Sequence, residues 1–214
     1  MGIVNFYRSS PDAMLIINAD DSRLIDLPGV GPCPRPVDID QAVTGFNHLK
    51  SLRIYRFQPG PPIHGDSEGD EVFILPLSGA FDIVITGTHG AEARVTGAGP
   101  IRAIYMTPHH AYRLMPRSPA MVAYARAEAV GIVPSQTLQG TASHGLAEHL
   151  TYRFVQVQPG ARTQVAGEAL VHVVRGACGV GGQGIVQGQT LALSAGEAIS
   201  LDVPSMAELL IVGV

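Results

Sequence analysis

The chain repeats itself, and that repetition limits its fold more than any single motif, because one stretch of sequence must be able to form the same structure twice. Positions 52–60 read LRIYRFQPG and positions 152–160 read YRFVQVQPG, so Arg53 and the closing Gln58-Pro59-Gly60 recur as Arg153 and Gln158-Pro159-Gly160. Glu71 with Gly79 recurs at the same spacing as Glu168 with Gly176, and the offset is shorter here, so residues have been lost between the anchors. A third anchor pairs Gly99, ahead of IRAIYMTP, with Gly196, ahead of EAISLDVP. Within each unit the runs are short, rich in β-branched residues and bounded by Gly or Pro, which is the pattern of half-buried strands. The expected strands are 52–57, 71–77, 81–86, 91–95, 101–107, 111–115 and 121–127 in the first unit, and 151–158, 169–175, 185–192, 198–202 and 208–212 in the second. In FDIVITG the bulky Phe81, Ile83 and Ile85 share one parity, so one face of that strand belongs to a core.

Composition agrees with an all-β chain. With 25 Gly and 16 Pro among 214 residues and only 15% charged residues, a helical bundle is excluded, while a 46% hydrophobic fraction supplies a core. The organisation read from the repeat is an N-terminal extension (1–45), a first unit (46–130), a linker (131–149) of weak helical tendency and a second unit (150–214). In the extension, MLIINAD and SRLIDL read as strands and DLPGVGPCPRP as a rigid, turn-rich loop. The extension either adds to a sheet or crosses to a partner subunit. A formal charge of -4 excludes a broad nucleic-acid or anionic-membrane surface, which needs clustered Lys and Arg. Cys33 and Cys178 are too few for a disulfide framework and read as reduced thiols. The first residues, MGIVNFYRSSPD, lack the pattern of a secretory leader, and no apolar run is long enough for a membrane helix. A soluble, cytoplasmic homodimer is the expectation.

A Pro-Gly turn, a loop with ligand-type side chains, a Glu opening a strand, a Gly after it, and a second Gly before a strand ending in Pro form an order that resembles the cupin superfamily. Two such units resemble a bicupin, two tandem double-stranded β-helix (jelly-roll) barrels. The first unit, through IYRFQPG, DEVFILPLSGAFDIVITG, GPIRAIYMTPHHAYRL and MVAYARAEA, is similar to the N-terminal half of the 5-deoxyglucuronate isomerases. That family carries its metal-binding histidines in the C-terminal half, in a segment like P-P-H-K-H-D; the matching stretch here, PGARTQVAGE at 159–168, has no His. The resemblance implies a metal-dependent isomerase or lyase acting on a small sugar acid or keto acid.

In cupins the loop before the Glu carries His-x-His, and a later strand brings a last His. In the loop PPIHGDSEGDE, His64 and Asp66 fill the first two positions and Glu71 the third. The last position is Arg113; His109 and His110 precede it, and four extended steps of about 3.3 Å would leave His109 roughly 13 Å short. The implied ligand set is His64, Asp66, Glu71 and either His109 or His110, around a divalent Mn, Fe, Zn or Ni. Such a metal would polarise a carbonyl or enediolate oxygen, with Glu68 or Tyr112 moving the proton and Arg53 and Arg113 holding an anionic substrate. Arg53 and Arg56 have opposite strand parity, so at most one of them points inward. Two further readings use the same residues. One is a metal-free bicupin that binds a small molecule without turnover. The other is a non-haem Fe(II) oxygenase, in which His64, Asp66 and a distant His form the facial triad and Arg113 holds a keto acid. The glycine run at 178–189 lacks the Lys and helix start of a phosphate loop and reads as a long hairpin. His144 and His149 read as solvent-facing and His172 as a packed or surface group, and no nucleophile elbow is present.

Overall fold

The computed structural model describes residues 14–87, 92–96, 102–131, 133–143 and 149–214. Ahead of the first unit lie β1 (Leu15–Asn18), β2 (Leu24–Leu27), β3 (Gly31–Pro34), β4 (Val37–Asp40) and the single helical turn α1 (Gln41–Thr44), which Asp40 caps by accepting from the Val43 N–H at 3.2 Å. The first unit comprises β5 (Leu49–Phe57), β6 (Ile63–Asp66), β7 (Asp70–Ser78), β8 (Phe81–Thr86), β9 (Glu92–Thr96), β10 (Arg102–Met106), β11 (Ala111–Pro116) and β12 (Ala120–Glu128). After β13 (Gln136–Gln139) the second unit follows with β14 (Thr151–Val157), β15 (Arg162–Ala166), β16 (Ala169–Arg175), β17 (Ala177–Val180), β18 (Gln183–Val186), β19 (Gln189–Leu193), β20 (Ala198–Asp202) and β21 (Ala207–Gly213).

Each unit is a sandwich of two antiparallel sheets. The first has the orders β13-β10-β7-β12-β5-β4 and β6-β11-β8-β9; the second has β1-β19-β16-β21-β14 and β15-β20-β17-β18. The two sets of orders are the same jelly-roll topology, with β5 equivalent to β14, β7 to β16 and β12 to β21. Two of the sequence anchors have a clear cause. Gly79 and Gly176 adopt φ of 79° and 80°, and a Cβ at either would collide with a backbone carbonyl, that of Pro119 or Met206. Only glycine tolerates both conditions. The third anchor joins strands that are not equivalent. β10 lies beside β7 in the six-stranded sheet, whereas β20 lies between β15 and β17 in the opposite sheet. The true counterpart of β10 is β19, and Gly99 itself is outside the described residues.

Three apolar clusters result. Phe81, Ile83 and Ile85, all on the expected parity, fill the first unit with Ile74, Ile104 and Val122. Val171, Val173, Ile185, Leu191 and Leu201 fill the second. The third cluster lies between the units: Leu52, Ile54, Phe73, Leu75 and Tyr105 pack against Tyr152, Leu170, Leu210 and Val212. The Phe73 ring contacts Tyr105 at 5.4 Å and Tyr152 at 4.9 Å, both edge to face, a geometry worth about 1 kcal/mol per pair beyond the buried area. β7 is therefore buried on both faces.

The repeated glutamates fasten the units to each other. Glu168 accepts from the backbone N–H groups of Asn47 at 2.5 Å, His48 at 2.9 Å and Leu49 at 3.1 Å, just where β5 begins. Glu71 accepts from the Leu150 N–H, just ahead of β14, and from the Tyr105 hydroxyl at 3.2 Å. Each unit thus offers its glutamate to the entry of the other's first long strand. Burial would raise the Glu168 carboxyl, but its three N–H donors outweigh that and hold it below the ordinary value.

The extension is shared out. β1 pairs with β19 of the second unit and β4 with β5 of the first. DLPGVGPCPRP forms a hairpin rather than a loop: β2 pairs with β3 through a turn closed by Val30 N–H to Leu27 C=O at 3.0 Å. Ile25, Leu27 and Val30 lie on the first unit's interior and Cys33 is buried in it. The linker, of weak helical tendency, contributes a strand, β13 against β10, and the expected strand 185–192 is broken into β18 and β19 by a turn at Gly188. Both cysteines are free and buried. No helix among the described residues is long and apolar enough to cross a membrane.

Candidate functional site

The inward faces of β4, β5 and β12 carry polar side chains where the opposite sheet carries mostly aliphatic ones. Cross-strand partners in a ladder share a face, and the registers Asp38↔Arg53 and Arg53↔Tyr124 put these three in one row that continues into Ile74 of the interior. The next inward positions on β5 and β12 are Tyr55 and Arg126. Arg56, of opposite parity, is exposed and pairs with Asp21 at 2.7 Å, so of the two arginines it is Arg53 that faces in.

Asp38 is the centre of this wall. Arg35 approaches it at 2.7 Å, Arg23 at 3.3 Å and Arg53 at 3.3 Å, so three guanidinium groups converge on one carboxylate. Arg23 and Arg35 come from the segment carrying the β2–β3 hairpin. Arg35 also donates to the Tyr55 hydroxyl at 3.2 Å, with its guanidinium carbon 5.7 Å from the ring centre. From there an aromatic chain runs inward: Tyr55 meets Phe57 at 5.4 Å and Tyr124 at 5.3 Å, and Tyr124 meets Tyr112 at 5.7 Å. The Tyr124 hydroxyl is buried and hydrogen-bonds to that of Tyr112; the Nε atoms of Arg53 and Arg126 are buried against Asp38 at 3.3 Å and Asp70 at 3.2 Å, and the Nε of Arg35 is buried without a hydrogen-bond partner. An unsatisfied buried polar atom costs about 1–3 kcal/mol, and a wall of buried donors sharing so few acceptors suits something polar. Burial pushes the Tyr112 hydroxyl up to about 12 and Tyr124 well above its usual value, so both stay protonated donors at neutral pH. Tyr112 owes its place to Gly65, where a Cβ would lie 2.6 Å from the phenol oxygen.

The implied metal ligands do not converge. On β6 the inward positions are Ile63 and Gly65; His64 and Asp66 point out and are exposed. His64 lies opposite Arg113, also exposed, so its outward neighbour is a cation. Glu71 shares parity with Phe73 and faces the other unit. His109 is exposed in the left-handed region, φ 61°, with its N–H donating to the Glu68 carbonyl at 2.6 Å. His110 packs against Gly87, with Nδ1 3.0 Å from the Pro108 carbonyl. The two loops are fixed by Ser67, fully buried, whose hydroxyl donates to the Thr107 carbonyl at 2.8 Å and accepts from the His110 N–H at 3.0 Å. The acidic loop is already neutralised: Lys50 meets Asp70 at 2.5 Å, and Arg126 meets Asp70 and Glu68 at 3.2 Å each. Among the described residues no three His, Cys, Asp or Glu side chains are grouped to hold a metal ion, so the donors present do not fit one.

Of the residues singled out from the sequence, Arg53 and Tyr112 face the wall. Glu68, φ 50°, is exposed at the rim. His149 is half-buried instead of solvent-facing, edge to face with His48 at 5.3 Å, and His144 lies outside the described residues. His172 is packed, with Nδ1 2.9 Å from the Thr190 hydroxyl, and burial lowers it to about 4. Arg23, Arg35, Asp38, Tyr124 and Arg126 escaped the sequence reading because they form no motif. The available signal was the alternation of Arg53 with Tyr55 and of Tyr124 with Arg126.

No protein-family model and no curated sequence matches this chain. Solved structures do. A bacterial pirin from Escherichia coli, YhhW, in complex with nickel(II) is 12% identical, with a TM-score of 0.74 over 94% of this chain and 99% of that one. Oxalate decarboxylase from Bacillus subtilis is 9% identical, TM-score 0.74, over 96% of this chain and 78% of that one. An IolB-like protein from Salmonella typhimurium is 12% identical, TM-score 0.65, over 83% and 87%. These likenesses establish the cupin fold.

Proposed function

We propose that the protein is a metal-independent, small-molecule-binding bicupin whose first unit holds a small anion, a carboxylate- or carbonyl-bearing molecule such as a sugar acid or keto acid. The observation that carries this reading is the convergence of Arg23, Arg35 and Arg53 on the single carboxylate of Asp38. One carboxylate balances one guanidinium; the remaining positive charge is complementary to an anion, which Arg can hold with paired hydrogen bonds. The neighbouring Tyr124 and Tyr112 hydroxyls supply donors for a further oxygen, and the tyrosine rings supply an apolar wall. The β2–β3 hairpin, which packs over this interior, is the route by which a ligand would enter.

Thermal shift with a panel of small sugar acids and keto acids, with and without chelator, tests the reading. At a ligand concentration about 100 times Kd the fold gains about 2.7 kcal/mol. That gain should be indifferent to chelator and absent from Arg35→Gln and Arg53→Gln. Stabilisation that needs added metal would overturn it.

A second reading, the metal-dependent isomerase or lyase, is favoured by the shared fold: one of these similar structures was solved with nickel(II) and another is an oxalate decarboxylase. It requires the loops around Ser67 to rearrange so that His64, Asp66, Glu71 and His109 or His110 meet. Metal analysis of the purified protein and of His64→Ala distinguishes the two.

A further inference from the structure

A pair of matched irregularities borders a cavity between the units. On β7 the register with β12 slips so that Leu77 is an extra residue between Pro76 and Ser78, and on β16 the register with β21 slips so that Val174 is extra between Val173 and Arg175. These are β-bulges at equivalent places of the repeat, and a bulge re-aims the side chain it inserts. Both side chains turn, half-buried, toward the edge of the cluster between the units, and with Phe154 and Leu209 they line a cavity of about 290 Å³. That is close to the lower limit of small-molecule sites, about 300 Å³, and suits a ligand of one ring.

The polar end of the cavity is asymmetric. Where the first unit has Met121 opposite its bulge, the second has Glu208. The Glu208 carboxylate accepts a hydrogen bond from the Gln156 side chain at 3.3 Å and, among the described residues, has no cationic partner within ion-pairing distance. An apolar bed ending in an unpaired carboxylate is complementary to a molecule with an apolar body and a positive end. We propose that this cavity binds a small aromatic or aliphatic amine, its hydrocarbon on Leu77, Phe154 and Val174 and its ammonium on Glu208. The site is separate from the arginine-lined wall and selects the opposite charge.

Titration calorimetry of the full chain with phenethylamine, phenylacetate and 2-phenylethanol tests this. Phenethylamine should bind, the neutral alcohol should bind at least several-fold more weakly, and phenylacetate should not compete. Glu208→Gln, at the rim, should weaken phenethylamine about tenfold while leaving 2-phenylethanol unchanged, and Val174→Trp should abolish both. If Val174→Trp fails to fold, the Glu208→Gln comparison decides alone. No binding of phenethylamine, or equal binding to wild type and Glu208→Gln, overturns the proposal. Arg53→Gln should leave phenethylamine binding intact, so failure here and failure of the anion site are read separately.

Discussion

The two units share one strand order and solve different problems. In the first, β8 and β11 pair over six positions and an added hairpin covers the interior. There the inward face of β4, β5 and β12 has become polar. In the second, β17 and β20 meet only at Gly179 and Asp202 because the β17–β18 hairpin turns early, at Gly181 and Gly182. Its buried interior is aliphatic apart from Cys178, with no aromatic and no ionisable oxygen. A unit filled in this way stabilises its partner, and its barrel interior offers a ligand no charged or aromatic group to hold. The two demands on a core, tight packing and a polar lining, thus fall to different units.

Four changes probe that division. Glu168→Ala leaves three N–H groups at the entry of β5 without an acceptor and should cost about 4 kcal/mol, measured by urea unfolding. Because the folded carboxyl lies below its ordinary value, this contribution is present above about pH 4.5 and fades as pH falls through the lower folded value. The next effect is also acid-dependent. His172 stays neutral in the fold to about pH 4, while the unfolded chain takes up a proton near 6.5, so stability should fall by about 3 kcal/mol between those values. The first unit has Leu75 and Ala103 where the second has His172 and Thr190, so the double change His172→Leu with Thr190→Ala should flatten that limb of the pH–stability curve. Tyr124→Phe removes the hydroxyl that bonds Tyr112 and should cost about 1 kcal/mol in a thermal melt while weakening ligand binding; unchanged binding would argue that this hydroxyl does not meet the ligand. His64→Ala, at an exposed outward position, should shift stability by less than about 0.5 kcal/mol in a thermal melt. A large loss there would revive the metal-ligand reading.

The repeat of strand order and the all-β character could be read because they rest on local chemistry. Gly79 and Gly176 are required by backbone geometry, and Phe81, Ile83 and Ile85 alternate because one face of their strand is buried and the other less so. The site was harder. On β7 every residue from Asp70 to Pro76 is buried, so alternation of polarity carries no information about which side of the sheet a residue faces, and a one-residue difference in register moves a carboxylate from the barrel to the gap between barrels. That is why Glu71, at the sequence position of a ligand, serves instead as a clasp. His64 and Asp66 failed for the same reason on β6, where Ile63 and Gly65 hold the inward positions.

Residue order alone therefore established most strands of each unit, the glycine turns at Gly79 and Gly176 and the free cysteines, since each depends on neighbours a few positions apart. Assembly in three dimensions settled where β1 pairs, which arginines surround Asp38, and which unit keeps a polar interior. Those depend on contacts between segments apart in the chain, such as Arg23 and Arg53 each with Asp38, or Glu168 with Asn47, and no local pattern encodes a distance between such segments.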